Sequence, residues 1–219
     1  MDTLLRIIII GIPILLAITL HEAAHGYAAL RYGDDTAKLM GRVSLNPLRH
    51  VDPIGTILIP GLLLLVGSPV LFGYAKPVPV NFSRLRNPRR DSVLVAGAGP
   101  ATNILLAFIS ALLFHVLIFF PPTIVPLLHE MLTFSVLINV TLAVFNMLPV
   151  PPLDGGRVAV GLLPDSLALP LARLEPYGIF IIFGLILIPP FFGINVLAWL
   201  ILHPIHLIIE FISLLAGLS

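Results

Sequence analysis

The chain has 219 residues, of which 58% are hydrophobic and 11% charged. A soluble domain carries about 25% charged residues, so this is an integral membrane protein, and a formal net charge of +1 gives no basis for nucleic-acid binding. There is no cysteine, which excludes disulfides and thiolate ligands and leaves His, Asp and Glu to build any transition-metal site.

The first predicted span covers about residues 4–30. Arg6 followed by an apolar run looks like a secretory leader, but the run leads straight into His21 and His25 with no small-residue cleavage pattern before them. It is expected to be a retained span. Residues 7–20 hold no charged group, and His21-Glu22-Ala23-Ala24-His25 comes directly after them. His-Glu-x-x-His on a helix sets two imidazoles one turn apart on one face, which suits two zinc ligands with a glutamate beside them as base. Ionisable groups at such depth cost about 2.5–3.5 kcal/mol each on insertion scales and mark function by default.

Residues 31–52 are polar, with a possible short strand at 41–45 and a turn at Asn46-Pro47. Residues 53–72 are apolar but broken by Gly55, Pro60, Gly61, Gly67 and Pro69. In 73–90, Lys76-Pro77-Val78-Pro79-Val80 is extended, since each proline pushes its predecessor out of the helical region. Further spans are predicted at about 92–120, 125–148, 177–188 and 193–215, with a polar connection over 149–175. The stretches 31–52 and 73–90 are both basic, so both should be cytoplasmic. They share a side only if 53–72 enters the membrane and returns, as a re-entrant element buried in protein can; the alternative is a sixth full span. The expected fold is an all-α polytopic membrane protein: a bundle of five to six transmembrane helices with a re-entrant element and short edge β-strands. It forms a single domain over 1–219, with a catalytic core at about 4–160 and accessory helices at about 173–216.

On the five-span topology, His21 and His25 lie near the cytoplasmic end of the first span, and the span 125–148 ends on the same side. The end of that span and the residues beyond it read Asn146-Met147-Leu148-Pro149-Val150-Pro151-Pro152-Leu153-Asp154-Gly155-Gly156. A catalytic zinc wants a third protein ligand and an open fourth position. Asp154 is the best candidate, with Gly155-Gly156 offering positive-φ conformations to turn the carboxylate inward. Taken alone, such a turn is more often an ordinary helix–loop junction.

Together these motifs resemble the site-2 protease family of intramembrane zinc metalloproteases. The family pairs His-Glu-x-x-His in one transmembrane helix with Asn-x-x-Pro-x-x-x-Leu-Asp-Gly near the end of a later one. Here these stand as His21–His25 and as Asn146, Pro149, Leu153, Asp154 and Gly155. Gly99-Pro100-Ala101-Thr102-Asn103 is similar to the start of the family's middle core helix. Ser44-Leu45-Asn46-Pro47, Asp52-Pro53 and Phe72–Asn81 resemble a compact prokaryotic branch without a peptide-binding domain. The resemblance covers about residues 15–160 and implies one zinc ion held by His21, His25 and Asp154. It further implies Glu22 as catalytic base, Asn146 as an oxyanion-stabilising or substrate-binding residue, and transmembrane protein substrates in a lipid bilayer. The protein is expected in the cell membrane as a multi-pass chain with its active site towards the cytoplasm.

Substrate unwinding would expose peptide groups that an edge strand accepts, which makes Val43 and Val78 candidate substrate-binding positions. Asn103 is a candidate too, or it hydrogen-bonds within the core and orients a zinc ligand. His203, His206 and Glu210 share one helical face. They are either a second metal or proton site, or a hydrogen-bonded set locking the last helix into the bundle. His115 and His129 are expected to be structural. Asp52 either supports the metal site or makes a turn with Pro53. The leading function is intramembrane endopeptidase, for regulated proteolysis or signal-peptide remnant clearance. The alternatives are a non-proteolytic zinc-binding membrane protein or transporter, or a zinc hydrolase acting on a soluble or lipid substrate.

Overall fold

A computed structural model describes residues 3–58, 62, 76–178, 180–182, 184 and 196–218. Helix α1 (Thr3–Tyr32) has 30 residues, about 45 Å at 1.5 Å per residue, which exceeds a hydrocarbon core of ~30 Å. It ends at Gly33, whose φ of 115° only glycine adopts freely. Gly33 N–H bonds to Leu30 O and Asp34 N–H to Ala29 O, the paired closure that satisfies the last carbonyls of a helix. The short helix α2 (Thr36–Leu39) comes next.

Helix α3 (Pro88–Leu113) starts with proline at its first position, where no intrahelical N–H is needed. The Asp91 carboxylate accepts from Asn87 N–H at 2.8 Å and closes that end. The chain continues as a 3-10 helix over Phe114–Phe119. Helix α4 (Val125–Asn146) returns across the bundle. Two short helices, α5 (Asp154–Leu162) and α6 (Asp165–Ala172), lie after it, and α7 (Val196–Leu215) is the last apolar helix.

Helices α1, α3 and α4 pack against one another in a triangle, with α5 on α3 and α7 on α4. The contact faces of α1 and α3 are rich in small residues, with Ala17, Ala23, Ala29, Ala96, Ala107 and Ala111 buried, and they meet Val136, Val140, Ala143 and Val144 of α4. Lipid tails are as apolar as leucine, so burial of leucine drives nothing in a membrane; close backbone approach does. Many large side chains accordingly point outward, with Leu16, Leu105, Ile118 and Phe119 exposed. The polar ones point in, with Thr19, Asn103, Ser110 and Asn139 buried.

Three helices among the described residues are long and apolar enough to cross a membrane: Ile8–Tyr32, Pro88–Phe119 and Val125–Asn146. Half of the expected span at 177–188 falls outside the described residues. So does most of the expected re-entrant element; its described start, Pro53–Leu58, is one π-helical turn, capped by Asp52 Oδ1 accepting from the N–H groups of Ile54 and Gly55.

The expected edge β-strands are a correction: no strand occurs among the described residues. Residues 41–45 and 76–80 do run alongside each other without regular structure, but no backbone ladder joins them. Pro77 and Pro79 have no N–H to contribute, and the Arg42 guanidinium bridges the segments instead. It donates to Lys76 O at 2.6 Å and Pro77 O at 3.3 Å, and to Arg49 O.

Candidate metal centre

His21 and His25 lie one turn apart on α1, on the face turned towards α3, and are 7% and 8% exposed. Their rings meet edge to face, with centroids 4.7 Å apart. Each ring is held through its Nδ1. His25 Nδ1 is 2.7 Å from Val95 O, a backbone carbonyl that can only accept, so this nitrogen carries the proton. His21 Nδ1 is 2.5 Å from Asn103 Oδ1. The orientation of that amide is set by its other end: Asn103 Nδ2 donates to Ala17 O at 3.2 Å and to Asn139 Oδ1 at 2.9 Å. His21 therefore also carries its proton on Nδ1.

Both Nε2 atoms are then left with bare lone pairs, and they lie 3.1 Å from each other. Asp154 Oδ2 lies 3.2 Å from His21 Nε2 and 3.3 Å from His25 Nε2. It is buried with no hydrogen-bond donor. Three acceptors so close, with no proton between them, repel one another unless a cation joins them. Tetrahedral zinc, with bonds of about 2.0–2.1 Å, separates its ligand atoms by about 3.3–3.4 Å. The spacing thus fits zinc, and among the described residues this is the one cluster of three His, Cys, Asp or Glu side chains that does so.

Glycines give this site its room. A Cβ on Gly99 would sit 2.5 Å from His25 Nε2 and 2.6 Å from His21 Nε2, so only glycine lets α3 approach the imidazoles. Gly155 is the second residue of α5 and packs onto the backbone of Met147 and Leu148. The expectation that Gly155 and Gly156 supply positive φ is corrected: both are helical, and what they supply is space.

Glu22 Oε2 accepts from Val78 N–H at 2.7 Å. Val43 and Val78 pack their side chains over Gly26. Asn103 is fully buried, with both ends of its amide used inside the protein. Asn146 donates Nδ2 to Leu142 O of its own helix at 3.0 Å. The face of α7 bearing His203, His206 and Glu210 is exposed, while Ile205 and Ile212 of that helix are buried. His115 Nε2 bonds Ala216 O at 2.7 Å, and His129 packs its ring on Phe114.

Sequence reasoning missed Asn139 and Val95. Asn139 donates to Ser135 O at 2.9 Å, and Ser135 Oγ is 2.8 Å from Ser110 Oγ, so a polar chain runs from His21 into the bundle. A lone asparagine within an apolar span was a readable signal; a backbone carbonyl such as Val95 O leaves none.

Fold and site together define an intramembrane zinc metalloprotease. Residues 123–188 match the profile described as Peptidase family M50. The chain is 39% identical over 183 residues to the "Putative zinc metalloprotease YwhC" of Bacillus subtilis, an alignment covering 82% of this chain and 80% of that one. It is 30% identical over 180 residues to the "Putative zinc metalloprotease Rip2" of Mycolicibacterium smegmatis, across 80% of this chain and 65% of the relative. A 64-residue stretch is 48% identical to the "Putative zinc metalloprotease MJ0611" of Methanocaldococcus jannaschii, 29% of this chain and 31% of that one. No solved structure matches significantly. The chain belongs to peptidase family M50, the site-2 proteases, and its cofactor is zinc.

Proposed function

We propose that this protease hydrolyses peptide bonds in or near the transmembrane segments of other membrane proteins. His21, His25 and Asp154 hold the metal, and Glu22 is the base. The observation that carries this reading is the convergence of two imidazole lone pairs and an orphaned carboxylate oxygen on one point at a helix face within a membrane span.

Zinc bound there supplies Lewis acidity, polarising the scissile carbonyl and acidifying water. Glu22 takes the proton from the attacking water and delivers it to the leaving amine, work that typically contributes about 10²–10⁴-fold. Its Oε2 is engaged by Val78 N–H, which leaves Oε1 for the water. Asn146 has one amide hydrogen on Leu142 O and a second to donate to the developing oxyanion. A helical substrate must unwind locally before cleavage, because its amides are otherwise closed in its own hydrogen bonds.

Five full spans, a re-entrant element over 53–72 and a cytoplasmic site in the cell membrane remain the topology that the basic stretches support. One domain then comprises the core at about 4–160 and accessory helices beyond it.

The test is cleavage of a single-span model substrate in proteoliposomes by wild type, Glu22→Gln and Asp154→Ala, with zinc content measured in each. The expected result is cleavage by wild type alone, full zinc in Glu22→Gln and depleted zinc in Asp154→Ala. Equal cleavage by wild type and Glu22→Gln overturns the assignment of the base. Zinc flux through Glu22→Gln without any proteolysis by wild type would make the protein a transporter.

A further inference from the structure

The segment at residues 76–81 lies along the end of α1, from Glu22 and Gly26 to Asp34. Its middle is tied to Glu22 through Val78 N–H, and its far end to Asp34 Oδ2 through Asn81 N–H at 2.7 Å. The near end is gripped by Arg42, whose Nη2 bonds both Lys76 O and Pro77 O. Pro77 O belongs to the same peptide unit as Val78 N. The guanidinium therefore holds one side of the peptide plane whose other side holds the glutamate. Gly26, one turn after Glu22, completes the arrangement: any side chain there would press on Val43 and Val78 at 3.2 Å, and its absence lets the segment lie close to the helix.

We propose that Arg42 is a positioning residue for the base: it fixes the Pro77–Val78 peptide so that Val78 N–H holds the Glu22 carboxylate in one rotamer. This rests on Glu22 being the base. A glutamate on a helix otherwise samples several rotamers, and misplacement of a reacting group by about 1 Å can lower a rate by ~10²-fold. A planar, forked cation suits the task, since it reaches two adjacent carbonyls and a third in the neighbouring loop at once; lysine, a point charge with freely rotating donors, does not. The same peptide N–H is unavailable to a substrate, so the segment here serves the enzyme's own carboxylate.

The experiment is a double-mutant cycle on the full chain in proteoliposomes, with kcat, KM and zinc content read for each variant. Val78→Pro removes the N–H within a segment that already carries prolines on both sides, and Val78→Ala trims the side chain but keeps the N–H. Val78→Pro is expected to lower kcat about tenfold or more relative to Val78→Ala, which keeps the N–H, with KM within about twofold and zinc unchanged between the two. Arg42→Lys is expected to lower kcat in the same way. Its effect vanishes in the Val78→Pro background, because both changes release one contact. Additive losses in the double variant overturn the proposal. So does a raised KM at constant kcat, which would make the segment a substrate contact, or equal losses in Val78→Pro and Val78→Ala. The comparison of the two Val78 variants separates hydrogen bond from packing without Arg42→Lys, so it can overturn the proposal even where that variant fails to fold. Activity surviving in Glu22→Gln would instead remove the base itself, a different failure.

Discussion

Asn103 Oδ1 and His21 Nδ1 are 2.5 Å apart, and that contact determines which nitrogen of the histidine is left for a metal. A carbonyl oxygen in this place forces the proton onto Nδ1 and bares Nε2. Partners of this kind typically account for 10–100-fold in metal affinity. Asn103→Leu is expected to weaken zinc binding by about that factor in a chelator competition. Asn103→Asp keeps the acceptor for His21 but sets its second oxygen against Ala17 O and Asn139 Oδ1, so its loss of affinity should be smaller than that of Asn103→Leu without being absent. Asn139→Leu, one contact further out, should have a smaller effect. Unchanged affinity in Asn103→Leu would mean that the ring is oriented by packing alone.

Gly99 faces the same imidazoles from α3. An added methyl would overlap both Nε2 atoms, and the overlap falls on ring atoms that are themselves pinned by Asn103 and Val95, so neither can swing away. Overpacking of this kind costs about 1–3 kcal/mol. Gly99→Ala is expected to insert and fold but to lose zinc, measured by metal analysis of the purified protein. A stoichiometric zinc content in that variant would show that α3 can retreat.

These two positions mark how far the chain could be read without coordinates. The candidate metal ligands were legible because zinc accepts few residue types, and two imidazoles four residues apart must share a helix face. The long spans are legible because lipid demands uninterrupted apolar helix. Asn103 was legible as a polar residue with a purpose, but its partner was not, since eighty-two residues separate it from His21 and only packing brings them together. The prolines around Val78 correctly signalled an extended backbone and then misled. Strand pairing needs N–H groups that Pro77 and Pro79 lack, and a side chain, Arg42, took the place of the neighbouring strand.

Removal of the metal should destabilise the bundle. Without a cation, two lone pairs and a carboxylate oxygen lie within 3.1–3.3 Å of one another at a site largely closed to water. Zinc that binds only the folded state stabilises it by mass action, about 2.7 kcal/mol at a hundred times its dissociation constant. Chelation is expected to lower the melting temperature in detergent, and re-addition of zinc to restore it. Asp154→Ala should show neither change. An identical zinc-dependent shift in Asp154→Ala would place the stabilising ion elsewhere.

Asp34 ties the end of α1 to the segment that carries Val78. Burial alone would raise the pKa of this carboxyl. The Thr36 hydroxyl at 2.5 Å, the N–H groups of Thr36 and Asn81, and the nearby Arg84 outweigh burial and hold it below the usual carboxylate range. A folded-state pKa below the unfolded one means that the ionised form favours the fold. Its contribution is complete above the unfolded value, near 3.9 for a free Asp, and is lost as the pH falls through the lower folded value. The junction should therefore loosen only in acid below about pH 4, seen as faster proteolysis within residues 76–81. Asp34→Asn keeps the size but leaves donors facing an amide, which costs about 1–3 kcal/mol at neutral pH. That variant should be cleaved faster at pH 7 and show no further acceleration from this group in acid. An unaltered acid profile in Asp34→Asn would assign the titration to another carboxylate.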